Sequence, residues 1–446
     1  VVSLWRRQGR WLASPVRLVP IAFILFMALG AALLALPISH PGEVDYLASA
    51  FTAVSATCIT GLTVVDTATY WTPFGKAVII VLTQLGGFGI MSAATLFALA
   101  VNGRLDLTGT LVAQTEKQTR TLGEVRRVIT RIAAVMLTLE VLAGVILTIR
   151  LLIRGEPFSG AVLHGFFYSA MGFTNAGFTP DAGLVNYVGD PWIMWPLFLL
   201  IILGSLGYPV LFELQTKWRR PHHWSVHMRL TFWGFLFLMV VGVGYFALFE
   251  WNNPGTLGPL NVMGKINGAL AGGIMPRSAG FSAVDYAQIT DESTVATIVL
   301  MFIGGGSAGT SGGLKVSTFF LLAFVILAEI RGEHDVTVGH RSVSNATIRQ
   351  ALAIALLSVG VVTASAVILV SLTELPLIAV LFDVVSAFAT CGLSLGITPD
   401  LPPGGQVLLM VLMFIGRVGT VTVASALALR TRQRHYHLPN EAPIVG

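Results

Sequence analysis

The feature that most constrains this chain is the recurrence of uncharged apolar stretches long enough to cross a lipid bilayer. A helix needs about 20 apolar residues to traverse the hydrocarbon core. Stretches of that size occupy residues 18–36, 77–101, 192–212, 230–249, 294–314 and 351–373. A seventh, 132–149, holds one acid, Glu140, and an eighth, 405–429, is interrupted only by Arg417. Within each successive pair lies a shorter apolar run, at 46–56, 158–173, 262–275 and 375–389, too short to span. Apolar residues make up 54% of the 446 and charged residues 11%, where a soluble protein carries roughly 25% charged. Mean hydropathy is +0.79. This excludes a secreted disulfide scaffold, a disordered chain and a soluble enzyme on a single anchor, and two cysteines, Cys58 and Cys391, make no disulfide framework.

Basic residues set the orientation, because short cytoplasmic loops are enriched in Lys and Arg. Twenty of the 27 fall on one side, within 6–17, 104–131, 217–229, 331–349 and 430–434. Lys76, Arg150, Arg154, Lys265 and Arg277 fall on the other, with Lys315 and Arg417 inside apolar stretches. Both termini are therefore expected in the cytoplasm and the short runs on the outer side. No cleavable signal peptide is expected, since Arg6, Arg7, Arg10 and Arg17 lead into a span with no A-x-A-like exit. The first residue is Val1 instead of Met, so a missing or altered start is expected. The pI near 9.4 reads as topology and not as nucleic-acid binding, because the basic residues alternate with spans and form no single block.

Each short run is followed by a glycine-containing segment and then an aspartate. These are 57–62 with Gly61 and Asp66, 174–178 with Gly177 and Asp181, 277–281 with Gly280 and Asp285, and 390–393 with Gly392 and Asp400. The glycines are 116, 103 and 112 residues apart, and a Ser-Ala pair precedes three of them at Ser55, Ser169 and Ser386. This is a fourfold repeat, divided at 1–103, 104–224, 225–340 and 341–446. Two crossings per repeat make successive repeats parallel, unlike inverted transporter repeats. The expected fold is an all-α membrane protein of eight transmembrane helices and four re-entrant pore loops around a pseudo-fourfold central pore. Non-helical backbone at membrane depth is tolerated where it is buried or lines water. Glycine there lets carbonyl oxygens point inward and replace a cation's hydration shell, and the four aspartates would make an acidic outer mouth.

On these residues the chain resembles the Trk/Ktr/HKT superfamily of potassium transporters, most closely its bacterial KtrB-type membrane subunits. The resemblance covers nearly the whole chain. It implies that Ile59, Thr60 and Gly61, Thr174, Asn175, Ala176 and Gly177, Arg277, Ser278, Ala279 and Gly280, and Thr390, Cys391 and Gly392 form a selectivity filter holding K⁺ at its glycines. Gly61 points to potassium, since plant members with Ser in the first filter pass sodium, and Ser278 stands where many relatives have Thr. The resemblance further implies uptake across a bacterial plasma membrane, a homodimer, and a separate soluble cytoplasmic nucleotide-binding regulatory subunit, because this chain has no nucleotide-binding domain of its own. K⁺ is the implied permeant ion, with Na⁺ open as a coupling or activating ion.

The third repeat carries a glycine cluster, Gly304, Gly305, Gly306, Gly309, Gly312 and Gly313. An unbroken helix over 293–330 would be roughly 57 Å long against a core of roughly 30 Å, so a break is expected there, with helix over 294–303 and 316–328. A nucleotide P-loop is excluded, since Leu314 separates Gly313 from Lys315 and no strand precedes. The cluster is either close packing of small residues or, as the resemblance implies, a mobile gate loop under the filter, with Lys315 and Arg417 beside it. Arg417 would present a positive barrier or pair with Glu140. Glycines 86, 87, 89, 204 and 207 are read as close helix packing, and His222, His223, His435 and His437 as solvated. The basic segment 104–131 is read as an amphipathic helix able to meet a partner or anionic membrane lipids. No enzyme motif lies in the spans. A secondary active transporter of another cation or solute is the alternative.

Overall fold

The computed structural model describes residues 15–101, 117–181, 183–333, 335–339 and 341–419. The end of the eighth predicted span, 420–429, the basic residues at 6–10, 104 and 430–434, and His435 and His437 lie outside these. Among the described residues, regular structure is helical apart from one hairpin of two-residue strands, Thr337–Val338 against Arg341–Ser342, which the all-α expectation did not include.

The helices are α1 Pro15–Leu34, α2 Tyr46–Thr57, α3 Thr67–Tyr70, α4 Pro73–Val101, α5 Lys117–Ile153, α6 Phe158–Thr174, α7 Pro191–Leu206, α8 Tyr208–Lys217, α9 Val226–Glu250, α10 Val262–Ile274, α11 Asp291–Phe302, α12 Val316–Arg331, α13 Asn345–Leu372, α14 Leu377–Phe388 and α15 Pro403–Phe414. Their starts follow local chemistry. Asp45 accepts from the Leu47 and Ala48 N–H groups at 2.8 and 3.1 Å to open α2, and Asn261 accepts from Gly264 N–H at 2.8 Å to open α10, satisfying donors with no partner inside the helix.

Three described helices are long and apolar enough to cross a membrane: Arg126–Ile153, Val226–Glu250 and Asn345–Leu372. The stretch predicted as one span over 192–212 is instead the pair α7 and α8, bent by 101°. Gly207 at the bend has φ +84°, and Pro209, two residues on, has no N–H to give to the preceding turn. The stretch 294–314 is interrupted as its length requires, with α11 ending at Phe302 and α12 starting at Val316. Val19–Leu34, Pro73–Gly89 and Pro403–Gly419 are shorter apolar helices, the last closing in a π-helical turn at Ile415–Gly419.

The long helices α1, α5, α9 and α13 pack on the short helices that follow them, α2, α6, α10 and α14. Then α4 packs on α6, α7 on α10, α11 on α14, and α15 returns to α2. The chain thereby closes on itself as a ring, with the short helices inside. Their buried faces join the cores around Phe167, Met171 and Ala176 and around Phe382, Val385 and Phe388. The perimeter is apolar: Val141, Ile149, Leu248, Leu356 and Val367 are all exposed. Exposed Trp192, Trp195, Trp218 and Trp233 join this surface, the residue type enriched where a protein meets the membrane–water interface.

Candidate functional site

Each short helix runs into a loop whose backbone alternates in hand. Ile59 and Gly61 have φ of 57° and 88°, Asn175 and Gly177 60° and 70°, Ser278 and Gly280 93° and 68°, and Thr390 and Gly392 46° and 100°. Among the described residues, four of the five non-glycine residues with positive φ are the first members of these pairs. Left-handed residues at alternate positions turn successive carbonyls toward one side. β-Branched Ile59 and Thr390 take this region only where their surroundings impose it.

The four loops mesh in a cycle. A Cβ on Gly61 would collide with Ala176 O, on Gly280 with Cys391 O, and on Gly392 with Thr60 O, while one on Gly177 would lie 2.9 Å from Ala279 O. Every glycine thus abuts the carbonyl of the residue before the next glycine. Only glycine allows backbones this close. All four glycines line one vestibule of about 320 Å³, together with Asp66 and Thr398. Converging carbonyls of this kind can replace the hydration shell of a cation, and the four short helices direct their partially negative C-terminal ends toward it.

Side chains behind the loops hold them. The Ser55 hydroxyl donates to Leu62 O at 2.8 Å and accepts from Gly61 N–H at 3.1 Å, and Ser386 Oγ accepts from Gly392 N–H at 3.0 Å. Ser169, the third of the repeated serines, turns away and donates to Glu140 O at 2.5 Å. Thr60, Thr174, Ala176, Ala279, Cys391 and Thr390 are fully buried within the loops.

Arg277 corrects the sequence reading. The sequence places it on the outer side, but its side chain is fully buried, with its guanidinium 3.8 Å above the Phe235 ring. Its Nη1 donates to Phe235 O at 2.7 Å and its Nη2 to Gly304 O at 3.0 Å. A guanidinium carries too many donors to face a cation path and finds carbonyls behind the loop instead. The acidic outer mouth also contracts. Of the four aspartates only Asp66 lines the vestibule. Asp181 accepts from the Tyr168 and Tyr187 hydroxyls, Asp285 caps Ala287 N–H at 3.0 Å, and Asp400 is exposed in a 3₁₀ turn.

The segment between α11 and α12 is closed at its neck by backbone hydrogen bonds, Gly304 N–H to Leu314 O at 2.9 Å and Leu314 N–H to Phe302 O at 3.1 Å. Its body sits against the bend between α7 and α8: Gly306 N–H donates to Ser205 O at 2.8 Å and Thr310 N–H to Gly204 O at 3.1 Å. Its far end lies against the base of the fourth loop, where a Cβ on Gly312 would stand 2.5 Å from Ala389 O. Gly305 and Gly309 pack as tightly against Ser205 O, and Gly313 has φ +66°. The Lys315 ammonium folds back to Ser311 O at 2.5 Å. Arg417 is 2% exposed and donates to Thr310 O. It does not pair with Glu140, whose carboxylate accepts from Gln84 Nε2 at 3.0 Å. Two loop residues reach into the segment: Asn175 Nδ2 donates to Thr310 Oγ1 at 2.5 Å, and the Ser278 hydroxyl accepts from Gly312 N–H at 3.0 Å while donating to Thr390 O at 3.0 Å. The glycines at 86, 204 and 416 each face the last carbonyls of a short helix, where a Cβ would collide with Thr57 O, Phe173 O and Phe388 O.

Sequence reasoning missed Asp383. It is fully buried in α14, and its Oδ2 accepts from Thr398 Oγ1 at 2.5 Å and Ser394 Oγ at 3.0 Å, bracing the outer part of the fourth loop. The signal was present, since Asp383 is the single acid inside the apolar run 375–389.

Comparison with known proteins gives a consistent picture. The family model for TrkH, described as a cation transport protein, matches residues 19–436. The chain is 34% identical over 435 residues to Ktr system potassium uptake protein B of Bacillus subtilis (strain 168), covering 97% of each. It is 33% identical to the protein of the same name from Vibrio alginolyticus, over 92% of this chain and 91% of the other. Among solved structures it resembles the potassium transporter TrkH from Vibrio parahaemolyticus with a TM-score of 0.74 at 17% identity, covering 94% of this chain and 86% of that one.

Proposed function

This chain belongs to the TrkH family of cation transport proteins, and on that premise we propose that it takes up potassium ions through the ring of carbonyl oxygens from Thr60, Ala176, Ala279 and Cys391. The observation that carries the reading is the closed cycle in which each loop's glycine abuts the next loop's carbonyl. K⁺ is cargo here. The chain's part is to hold oxygens at fixed positions, so that a dehydrated ion exchanges water for carbonyls with little reorganisation.

In this reading the four units 1–103, 104–224, 225–340 and 341–446 each contribute two crossings and a re-entrant loop, with both termini cytoplasmic. The segment carrying Gly304, Gly305, Gly306, Gly309, Gly312 and Gly313 is the gate. Its burial directly under the filter and its attachment to Arg417 through Thr310 O support that role. The family acts in cation transport and not in enzymatic conversion. Uptake of K⁺ into vesicles containing the purified chain tests the function. Transport of another solute with no K⁺ movement would sink it in favour of a secondary transporter.

We further place the protein as a homodimer that docks a soluble nucleotide-binding ring on its cytoplasmic face. Arg126, Arg127, Arg219 and Arg220 are exposed there; the side chain of Arg120, assigned to the same patch, lies outside the described residues. Because like charges across an interface cost several kcal/mol, Arg126→Glu/Arg127→Glu is expected to lower co-purification of the ring by at least about tenfold at equal expression. Undiminished recovery would leave these arginines to anionic lipid and topology alone.

A further inference from the structure

A cluster away from the filter has no part in the function proposed above. Glu156 follows α5, His164 lies on α6, and Asp181 follows the second filter loop. One ligand atom from each falls within 4.8 Å of the others. His164 Nδ1 is 3.2 Å from Glu156 Oε2 and 4.0 Å from Asp181 Oδ2. Glu156 Oε2 and His164 Nδ1 are shielded from solvent, yet neither makes a hydrogen bond. Among the described residues, His164 is the only base within ion-pair distance of either carboxylate. The nearby Lys76 ammonium is engaged by Ala68 O and Pro180 O at 2.8 and 3.0 Å, and Arg154 is engaged by Asp190 at 3.1 Å. Two carboxylates therefore converge on an imidazole nitrogen, and the Lys76 ammonium, which acts on Asp181 through space, is the one fixed cation near them among the described residues.

We propose that Glu156, His164 and Asp181 bind a transition-metal dication of the Zn²⁺ class at the rim of the vestibule. One imidazole nitrogen with two carboxylate oxygens is a donor set that Zn²⁺ accepts, leaving a fourth position for water. Zn–ligand bonds of about 2.1 Å in a tetrahedron put ligand atoms about 3.4 Å apart, so the separations of 3.2 and 4.0 Å need only small side-chain rotations to close. The outer shell is already built. The Tyr187 hydroxyl lies 2.7 Å from Asp181 Oδ2 and 3.2 Å from Glu156 Oε1, and the buried Tyr168 hydroxyl donates to Asp181 Oδ1. Such donors fix the orientation of ligating carboxylates. Asp181 also accepts from Gly183 N–H at 3.0 Å, and Gly183 lines the vestibule, so a bound ion would pin the wall of the ion entrance.

Calorimetric titration of the purified, tag-free full chain with Zn²⁺ tests this. The expected result is one saturable site per chain that weakens at least about thirtyfold in both His164→Gln and Glu156→Gln, within the range that loss of metal-site contacts produces. Each variant is to be taken at the elution volume of the wild type, which establishes that it is folded. Equal affinity in wild type and both variants overturns the proposal. So does a site lost only in His222→Gln/His223→Gln, or no saturable binding to the wild type.

Discussion

Gly61→Ser is expected to reduce the K⁺-over-Na⁺ permeability ratio by about tenfold or more, equivalent to about 1.4 kcal/mol of lost discrimination. The residue has φ +88°, and any Cβ placed there meets the Ala176 carbonyl. The second loop must retreat or the first must change hand. Either movement takes an oxygen out of the set that replaces the hydration shell, and the smaller, more tightly hydrated ion then loses its disadvantage. Relative permeabilities from reversal potentials in bilayers or from ion-replacement fluxes read this directly. An unchanged ratio in folded protein would remove Gly61 from the ion path.

Deleting residues 305–312 should raise basal K⁺ flux by about tenfold or more, a barrier reduction of about 1.4 kcal/mol. The deletion takes away the body that lies between the α7–α8 bend and the underside of the filter. Gly304 and Leu314, which pair at the neck, remain. It also leaves the Arg417 guanidinium without Thr310 O, so the same deletion in an Arg417→Gln background separates the plug from the charge. Regulation should weaken in parallel, as there is then no segment to move. Low flux from a well-folded deletion variant would make the segment a structural filler between helices.

The parts of this arrangement that were legible in the sequence are those fixed by periodicity. The four loops announced themselves because Gly61, Gly177, Gly280 and Gly392 recur at nearly equal spacing after runs too short to span, and a backbone requirement shared by four sites leaves the same residue at each. The break before Val316 was legible from length alone. Individual side-chain directions were not. Arg277 sits beside Ser278 in the chain yet points behind the loop, since Ser278 itself is left-handed and reverses the local direction, and Phe235 O and Gly304 O come from distant segments. An aspartate follows each loop, but turn capping claims Asp66 and Asp285 and the Tyr168 and Tyr187 hydroxyls claim Asp181. The bend at Gly207 was hidden because an apolar run reads the same whether straight or folded, and only the Gly-Tyr-Pro order within it marked the corner.

The Ser278 hydroxyl is shared between Thr390 O of the fourth loop and Gly312 N–H of the segment below. One hydroxyl thereby joins the fourth loop to the segment which, in the proposed function, would move when the pathway opens. Linkage then works in both directions with a single free energy: whatever displacement of the segment does to ion affinity, ion occupancy must do to the displacement. On the proposed reading, any coupling that this hydroxyl carries makes external K⁺ an effector of opening as well as cargo.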